Sequence, residues 1–229
     1  MLFRSVEASL AACNGGVNSR LHPSRTSVQK LADQTTAIGT TVGEGDDAIW
    51  VGAPLRVHRR CDEPMFSISN EVAYDGLMVH HKKPAALTWP ASYWLDVPGG
   101  QGNGNWIPAE GEALRGLIQN LLGQAQVPAD DIFLISPFRD VVRELKGMGK
   151  AFGLDYRRVG TVHTTQGKEA DVVIMVLGGG TAGARDWASS RPNLLNVAAS
   201  RAKARFYVVG DRKDWSKRRF FDVLSKNLS

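Results

Sequence analysis

"TVHTTQGKEADVVIMVLGGG", Thr161 to Gly180, joins a charged, glycine-containing turn to an unbroken apolar run. A strand with one wet face alternates apolar and polar residues. A strand buried on both faces reads as continuous Val, Ile and Leu, as "DVVIMVL" does here. The run is therefore a central strand of a covered sheet. Its packing has no use for Gln166, Gly167, Lys168 and Glu169 together at its mouth. That turn is the first candidate for function.

Working outward, the same pattern recurs. "YRRVGTV" reads as the strand before the turn. "DIFLIS" (Asp131–Ser136) and "RFYVVG" read as further core strands, and "SYWLDV" (Ser92–Val97) as another. Between them lie helical patterns. "EGEALRGLIQNLLGQA" sets Leu114, Leu117, Ile118, Leu121 and Leu122 on one face. "RDVVRELKGMGKAFG" and "RPNLLNVAASRAKA" read as helices, and "WSKRRFFDVLSKNL" as one amphipathic basic helix. "PMFSISNEVAYDGLM" opens on Pro64, a good first-turn residue, and stops near Gly76. Upstream, "SRTSVQKLADQTTA" has helical spacing, "GTTVGEGDD" reads as a loop, and "AIWVGAPL" as a strand ending at Pro54. Strands alternating with helices predict a three-layer α/β domain with a mainly parallel sheet. In such sheets ligands sit beyond the carboxyl ends of strands. The turn reaches that position as the loop leaving the strand before it. Residues 51–229 carry this pattern, and residues 1–50 form a leader.

Composition narrows the classes. Of 229 residues, 43% are hydrophobic, enough for a core, and 22% are charged. A net charge of +5 and a pI near 9.4 favour a polyanionic partner. Two distant cysteines, Cys13 and Cys61, exclude a disulfide framework and suit a reducing, cytoplasmic setting. No stretch approaches the ~18 apolar residues of a membrane span. Leu10-Ala11-Ala12-Cys13 imitates a lipoprotein cleavage box. Glu7 interrupts the apolar run that box requires, so a short helix is the reading adopted.

Several chemistries lack their residues. No G-x-x-x-x-G-K-[ST] phosphate loop is present; "KGMGKAF" and "QGKE" miss its spacing. "CDEP" (Cys61–Pro64) imitates a magnesium-binding Asp-Glu without an apolar strand before it. His58, Cys61 and His80-His81 do not make the two clean ligand pairs of a structural zinc. No Gly-x-Ser-x-Gly elbow anchors a serine hydrolase. Asp46-Asp47 and Asp130-Asp131 lack the third acid that a nuclease site needs. Arginine is what stands out: Arg59-Arg60 after "APLRVH", and Arg201 in the small, apolar segment "NVAASRAKAR". A guanidinium is permanently charged and forks onto phosphate oxygens.

On these residues the chain resembles superfamily 1 helicases. "TVHTTQGKEADVVIMVLG" looks like their fifth motif and "RPNLLNVAASRAKARFYVVGD" like their sixth. "FLISPFRDVVRELK" is similar to the fourth-motif region. "PLRVHRRCDEPMFSISNEVAYDGLM" is similar to the opening of their second RecA-like domain. The four run in the family's order from about Val51 to Asp211. The branch of RNA-surveillance helicases and replication nuclease-helicases is the nearest in pattern. The resemblance implies a RecA-like fold of the P-loop NTPase kind without its own P-loop. It makes Arg201 and Arg60 arginine fingers that reach the γ-phosphate of ATP across the cleft between two motor domains. It puts Gln166, Gly167 and Glu169 on the nucleotide side of that cleft, with Gly167 letting backbone approach the ligand. Ser136, Thr161 and His163 would meet single-stranded nucleic acid. Read as residues alone, Thr161 and His163 equally suit a strand end, and Gln166 a turn that satisfies its own amides. Trp89, Trp94 and Trp106 suit base stacking or core anchoring.

Of the family's first RecA-like domain, these 229 residues hold at most the last stretch, which the leader 1–50 resembles as a remnant of that domain's end. Its P-loop, its Asp-Glu magnesium site and its Gly-Asp-x-x-Gln motif are missing. The chain resembles the second half of a motor: an excised piece, a truncated frame, or one chain of a split motor. ATP would then be shared with a first domain, in cis or in trans, that also holds Mg2+. The competing expectation is a non-catalytic nucleic-acid-binding or regulatory module on the same scaffold. The chain alone is expected not to hydrolyse ATP and to bind it weakly at best, since a P-loop supplies most phosphate contacts. Phosphate release by the purified chain with and without oligonucleotide checks this. Stimulated turnover that is lost in Arg201→Ala would overturn it.

Overall fold

The computed structural model describes residues 33, 37, 39–42, 49–52, 56–84, 86–164 and 167–228. The chain divides into two compact units, Met1–Arg56 and Val57–Ser229. In the first, β1 (Gly39–Val42) pairs antiparallel with β2 (Ile49–Gly52). "GTTV", read above as loop, is thus a strand. Its two threonines and valine are β-branched and find an apolar partner strand to pair with. The helix expected over Ser24–Ala37 falls almost wholly outside the described residues.

The second unit carries the motifs. It opens with a short parallel pair, β3 (Val57–His58) and β4 (Val79–His80), with helix α1 (Met65–Ala73) between them. The main sheet has five parallel strands: β5 (Trp94–Asp96), β6 (Ile132–Ser136), β7 (Val159–Thr161), β8 (Ala170–Val176) and β9 (Ala202–Gly210). Their order is β5-β9-β8-β6-β7. The helices are α2 (Pro108–Gly123), α3 (Arg139–Ala151), α4 (Ala182–Ala188), α5 (Asn193–Arg201), α6 (Arg212–Trp215) and α7 (Phe221–Asn227). Right-handed crossovers put α2 and α3, which lead towards β7, on one face, and α5, which leads back to β9, on the other. α1 packs on α5 and α7. Every residue of β6 is buried, as is β8 apart from Asp171, so the continuous apolar runs do sit between two helical layers. Among the described residues, no helix is long and apolar enough to cross a membrane.

Three elements depart from the sequence pattern. Ala202-Lys203-Ala204, read as the tail of a helix, open β9 instead. Alanine leaves the local choice open, and pairing of Ala202 with Ala170 decides it. The basic C-terminal segment is two helices, not one. Trp215 and Phe221 are both fully buried with ring centroids 4.6 Å apart. Six residues apart on one helix they would point to different faces, so the chain reverses at Phe220, which takes φ 71°. α4 has no apolar period and is set by its cap: Thr181 Oγ1 accepts from the Ala184 amide at 3.2 Å.

Glu110, in the first turn of α2, is fully buried. Its Oε2 accepts the Gly178 amide at 2.8 Å, while Oε1 is buried without a partner. Gly178 leaves β8 at φ +60, and a Cβ there would lie 2.5 Å from the Asn105 carbonyl. Only glycine fits that turn, and Glu110 holds it. Burial pushes the Glu110 carboxyl up to about 8; the amide bond works against the rise and Asp211 adds to it. The folded chain keeps a proton that the unfolded chain, with an ordinary carboxyl near 4.3, has lost. Stability is therefore expected to fall between about pH 5 and pH 8, by on the order of 1 kcal/mol per pH unit, and to level off above. Glu110→Gln, which still accepts from Gly178, should flatten that slope in melting temperatures taken from pH 5 to pH 9. An unchanged slope would assign it to other groups.

Candidate functional site

Two rims of the sheet gather the residues singled out by sequence. At the amino rim, the pairing of Ala170 with Ala202 sets the residues before them, Glu169 and Arg201, side by side. Arg60 arrives from the segment after β3 and binds Glu169, Nε to Oε2 at 3.2 Å. Lys203 reaches the other oxygen of the same carboxylate at 3.4 Å, and Asp171 at 3.9 Å. Arg201 donates through Nη1 to the Lys168 carbonyl at 3.1 Å, and its Nε is buried with no partner. Burial, then the like charge of Arg60, lowers the Arg201 pKa from its very high ordinary value. The two guanidinium groups therefore share one neighbourhood. Beside them, Arg59, Arg60, Lys203, Glu169 and Trp89 line an open cleft of about 920 Å³.

Arg60 is held there by its successors. The Asp62 amide donates to the Lys203 carbonyl at 2.8 Å. Lys82 donates to the same carbonyl at 2.7 Å and pairs with Asp62 at 2.8 Å. The Cys61 amide donates to His58 Nε2, and the His80 ring meets the Cys61 carbonyl, each at 3.0 Å. Those ring nitrogens are thus engaged with backbone. Burial pushes the Cys61 thiol up to about 11, which makes it an inert core group. Among the described residues, no cluster of three His, Cys, Asp or Glu side chains could hold a metal ion.

At the carboxyl rim, Ser136 and Thr161 stand opposite each other in register. Ser136 is fully buried, and its Oγ accepts the Phe138 amide at 3.3 Å. The hydroxyl expected to face nucleic acid instead shapes the turn into α3. Thr161 is also buried and is tied to Thr164, with both Oγ1–Oγ1 and amide–Oγ1 contacts at 3.2 Å. His163 is exposed. With Arg139, Asn105, Thr164 and Trp187 it lines a cleft of about 720 Å³. Trp187 is 55% exposed and leans on Phe138, centroids 5.8 Å apart. The sequence reading missed it. Its signal was a tryptophan among small and polar residues, "TAGARDWASS", with no large apolar partner three or four positions away. Of the tryptophans named earlier, Trp94 is a core anchor donating to the Gly210 carbonyl at 2.9 Å. Trp106 packs on Gly111. Trp89 is half-buried at the edge of the amino-rim cleft.

A protein-family model described as an AAA domain, AAA_12, matches residues 52–213. The chain belongs to this AAA domain family. That membership agrees with the RecA-like, P-loop NTPase-type fold that the motifs implied. The C-terminal domain of a possible DNA helicase from Lactobacillus plantarum WCFS1 is similar, with 14% identity and a TM-score of 0.42; the match covers 67% of this chain and 87% of that one. The arterivirus nonstructural protein 10 helicase is similar at 18% identity and a TM-score of 0.35, over 69% of this chain and 26% of its own. Among curated proteins, none matches.

In this AAA domain one segment joins the rims. β7 ends at the carboxyl rim and β8 begins at the amino rim, with β6 lying between them. Only Val162–Glu169, eight residues, makes the return. The register puts Ala170 six residues below the level of Thr161. At about 3.3 Å per residue along the strand and about 4.8 Å between strands, the return spans roughly 22 Å. Eight residues are fewer than the dozen or more of an ordinary parallel crossover. Gln166 lies outside the described residues. Gly167 has φ +86, and a Cβ there would meet nothing within 4 Å. Glycine suits that backbone angle.

Proposed function

We propose that this domain is the second motor domain of an ATP-dependent helicase. The observation that carries the reading is the pair of rims, one cationic and one aromatic and polar, joined by Val162–Glu169. At the amino rim Arg60 and Arg201 would meet the γ-phosphate of ATP held by a first RecA-like domain. The residues fit such a ligand: Arg201 keeps a buried, unpartnered Nε, and Arg60 and Lys203 share a single carboxylate. Bound ATP supplies the phosphoanhydride to be cleaved. Mg2+ is assigned to the first domain. Arg60 and Arg201 place positive charge where the transferring phosphoryl group concentrates negative charge, worth roughly 10³–10⁵ in rate for such an arginine. Glu169 keeps Arg60 and Lys203 in place until phosphate oxygens replace it. Gln166 and Gly167 complete the nucleotide side.

At the carboxyl rim, single-stranded nucleic acid would lie over His163 and Thr164, with Arg139 on phosphate and Trp187 under a base. Thr161 and Ser136 position that surface from beneath. The free, buried Cys61 suits the cytoplasm, where thiols stay reduced.

Fluorescence anisotropy with a labelled oligonucleotide over a salt series tests the nucleic-acid side. Binding no tighter than roughly 10⁻⁴–10⁻⁶ M is expected, with a slope of about −0.7 per neutralised phosphate. Trp187→Ala should cost ~1–3 kcal/mol of that binding. Sequence-selective binding that ignores salt would favour a regulatory module instead. For the motor side, the domain joined to a P-loop partner domain should lose about 10³-fold or more of its stimulated ATP turnover on Arg201→Ala or Arg60→Ala, with oligonucleotide affinity retained. Turnover in both variants equal to that of the parent would remove the arginine-finger assignment.

A further inference from the structure

α3 carries Arg139, Arg143 and Lys146 at i, i+4 and i+7, hence along one exposed face. A basic stripe alone is commonly just solvated. Here it faces a second basic wall. Arg157 and Tyr156, from the turn before β7, and Lys168, from the end of the connecting segment, stand across a groove of about 540 Å³. Its lining holds five cationic side chains and no carboxylate. The amino-rim cleft differs: there Glu169 and Asp171 stand among the cations. Neutralisation from outside the groove is partial. Arg143 meets Glu144 at 3.3 Å on the surface, a pair that holds weakly and exchanges with other anions. Arg157 is held by both oxygens of Asp155, at 2.6–3.1 Å, so its charge is partly met within the chain. Arg139 and Lys146 make no ion pair among the described residues.

Like charges facing one another across a concave surface focus potential and attract a polyanion. The groove runs beside β7, the edge strand of the sheet, and shares Arg139, Thr161 and Thr164 with the His163–Trp187 cleft. The two therefore form one track. From Arg139 to Lys146 the helix advances about 10 Å. That accommodates about two or three phosphates at spacings near or above 3.4 Å. At the far end Tyr156 is 74% exposed, with the Arg157 guanidinium 5.9 Å from its ring centroid. An exposed ring suits an unpaired base, which a duplex does not offer.

We propose that single-stranded nucleic acid leaves the rim over Thr164 and continues down this edge groove. There Arg139, Arg143, Lys146, Arg157 and Lys168 hold its phosphodiester backbone, and Tyr156 stacks on a base. The inference rests on the nucleic-acid reading of the rim and adds a second contact region to it.

The test uses the whole chain, a short oligonucleotide of about six nucleotides and a longer one of about fifteen, each in a salt series. For Arg143→Ala with Lys146→Ala, the log–log salt slope with the longer strand should become shallower by about 1.4, that is, two phosphates at 0.7 each. Affinity for the short strand should stay near that of the parent chain. The charge-conserving pair Arg143→Lys with Lys146→Arg should keep the parent slope, which separates charge from folding. An unchanged slope in the alanine pair, with binding still weakened by Trp187→Ala, would overturn the groove and leave the rim. Loss of slope in the charge-conserving pair would also overturn it. Equal competition by a duplex or by polyglutamate of matched charge would overturn the assignment to a single strand. No binding of either oligonucleotide by the parent chain would sink the rim reading and the groove together.

Discussion

The parallel pairing of β8 with β9 is the constraint on which the amino rim depends: it opens with Ala170 opposite Ala202, shifts register by one residue, and runs on regularly from Val172 opposite Arg205. From there the pairing lies inside a core, where a further slip would turn every side chain to the wrong face. Because the pairing begins where it does, the two residues just outside it, Glu169 and Arg201, must be neighbours. The Lys203 carbonyl, within the same strand, then collects Asp62 and Lys82 and so brings Arg60 onto Glu169. A cluster of four charged side chains from three separated stretches of chain is thereby fixed by one strand register.

The same sheet explains why charge is distributed unevenly. Where cations are held close to the core, as Arg201 and Lys203 are, acids accompany them, since uncompensated buried charge is costly. Where cations line an open groove, as on α3, water screens them and acids are not required for stability. An unbalanced groove is tolerable in the free chain for that reason, and it remains available to an anion. The amino rim and the edge groove thus differ in kind: at the one, cations are paired with acids; at the other, the lining carries no carboxylate.

The central strands were legible because burial on both faces leaves an unmistakable apolar run, as in Val172–Leu177. The helices at Arg139 and Pro108 were legible from their period. Arg60, Glu169 and Arg201 were legible through motif spacing, and the register of β8 and β9 explains why motifs so distant in sequence belong together. Ser136 misled because a hydroxyl at a strand's end has two uses, and only packing decides between a surface contact and a turn amide. Trp187 was illegible because its setting is a short capped helix without period. The groove was half legible: Arg139, Arg143 and Lys146 share a helical face in the sequence, but nothing local says that Arg157 and Lys168 stand opposite.

Lys168 is where the two sides meet. Its carbonyl accepts from Arg201 at the amino rim, while its ammonium donates to the Arg157 carbonyl at 3.4 Å beside the edge groove. The next residue, Glu169, holds Arg60 and Lys203. A rearrangement of Arg201 or Glu169, such as the proposed phosphate would require, would therefore act on residues that also bound the groove. Coupling between two sites requires an element whose arrangement both of them bias. Val162–Glu169 meets that requirement in a direct way. If phosphate binds at the amino rim as proposed, a change there would reach the surface proposed to hold the strand along a single stretch of backbone.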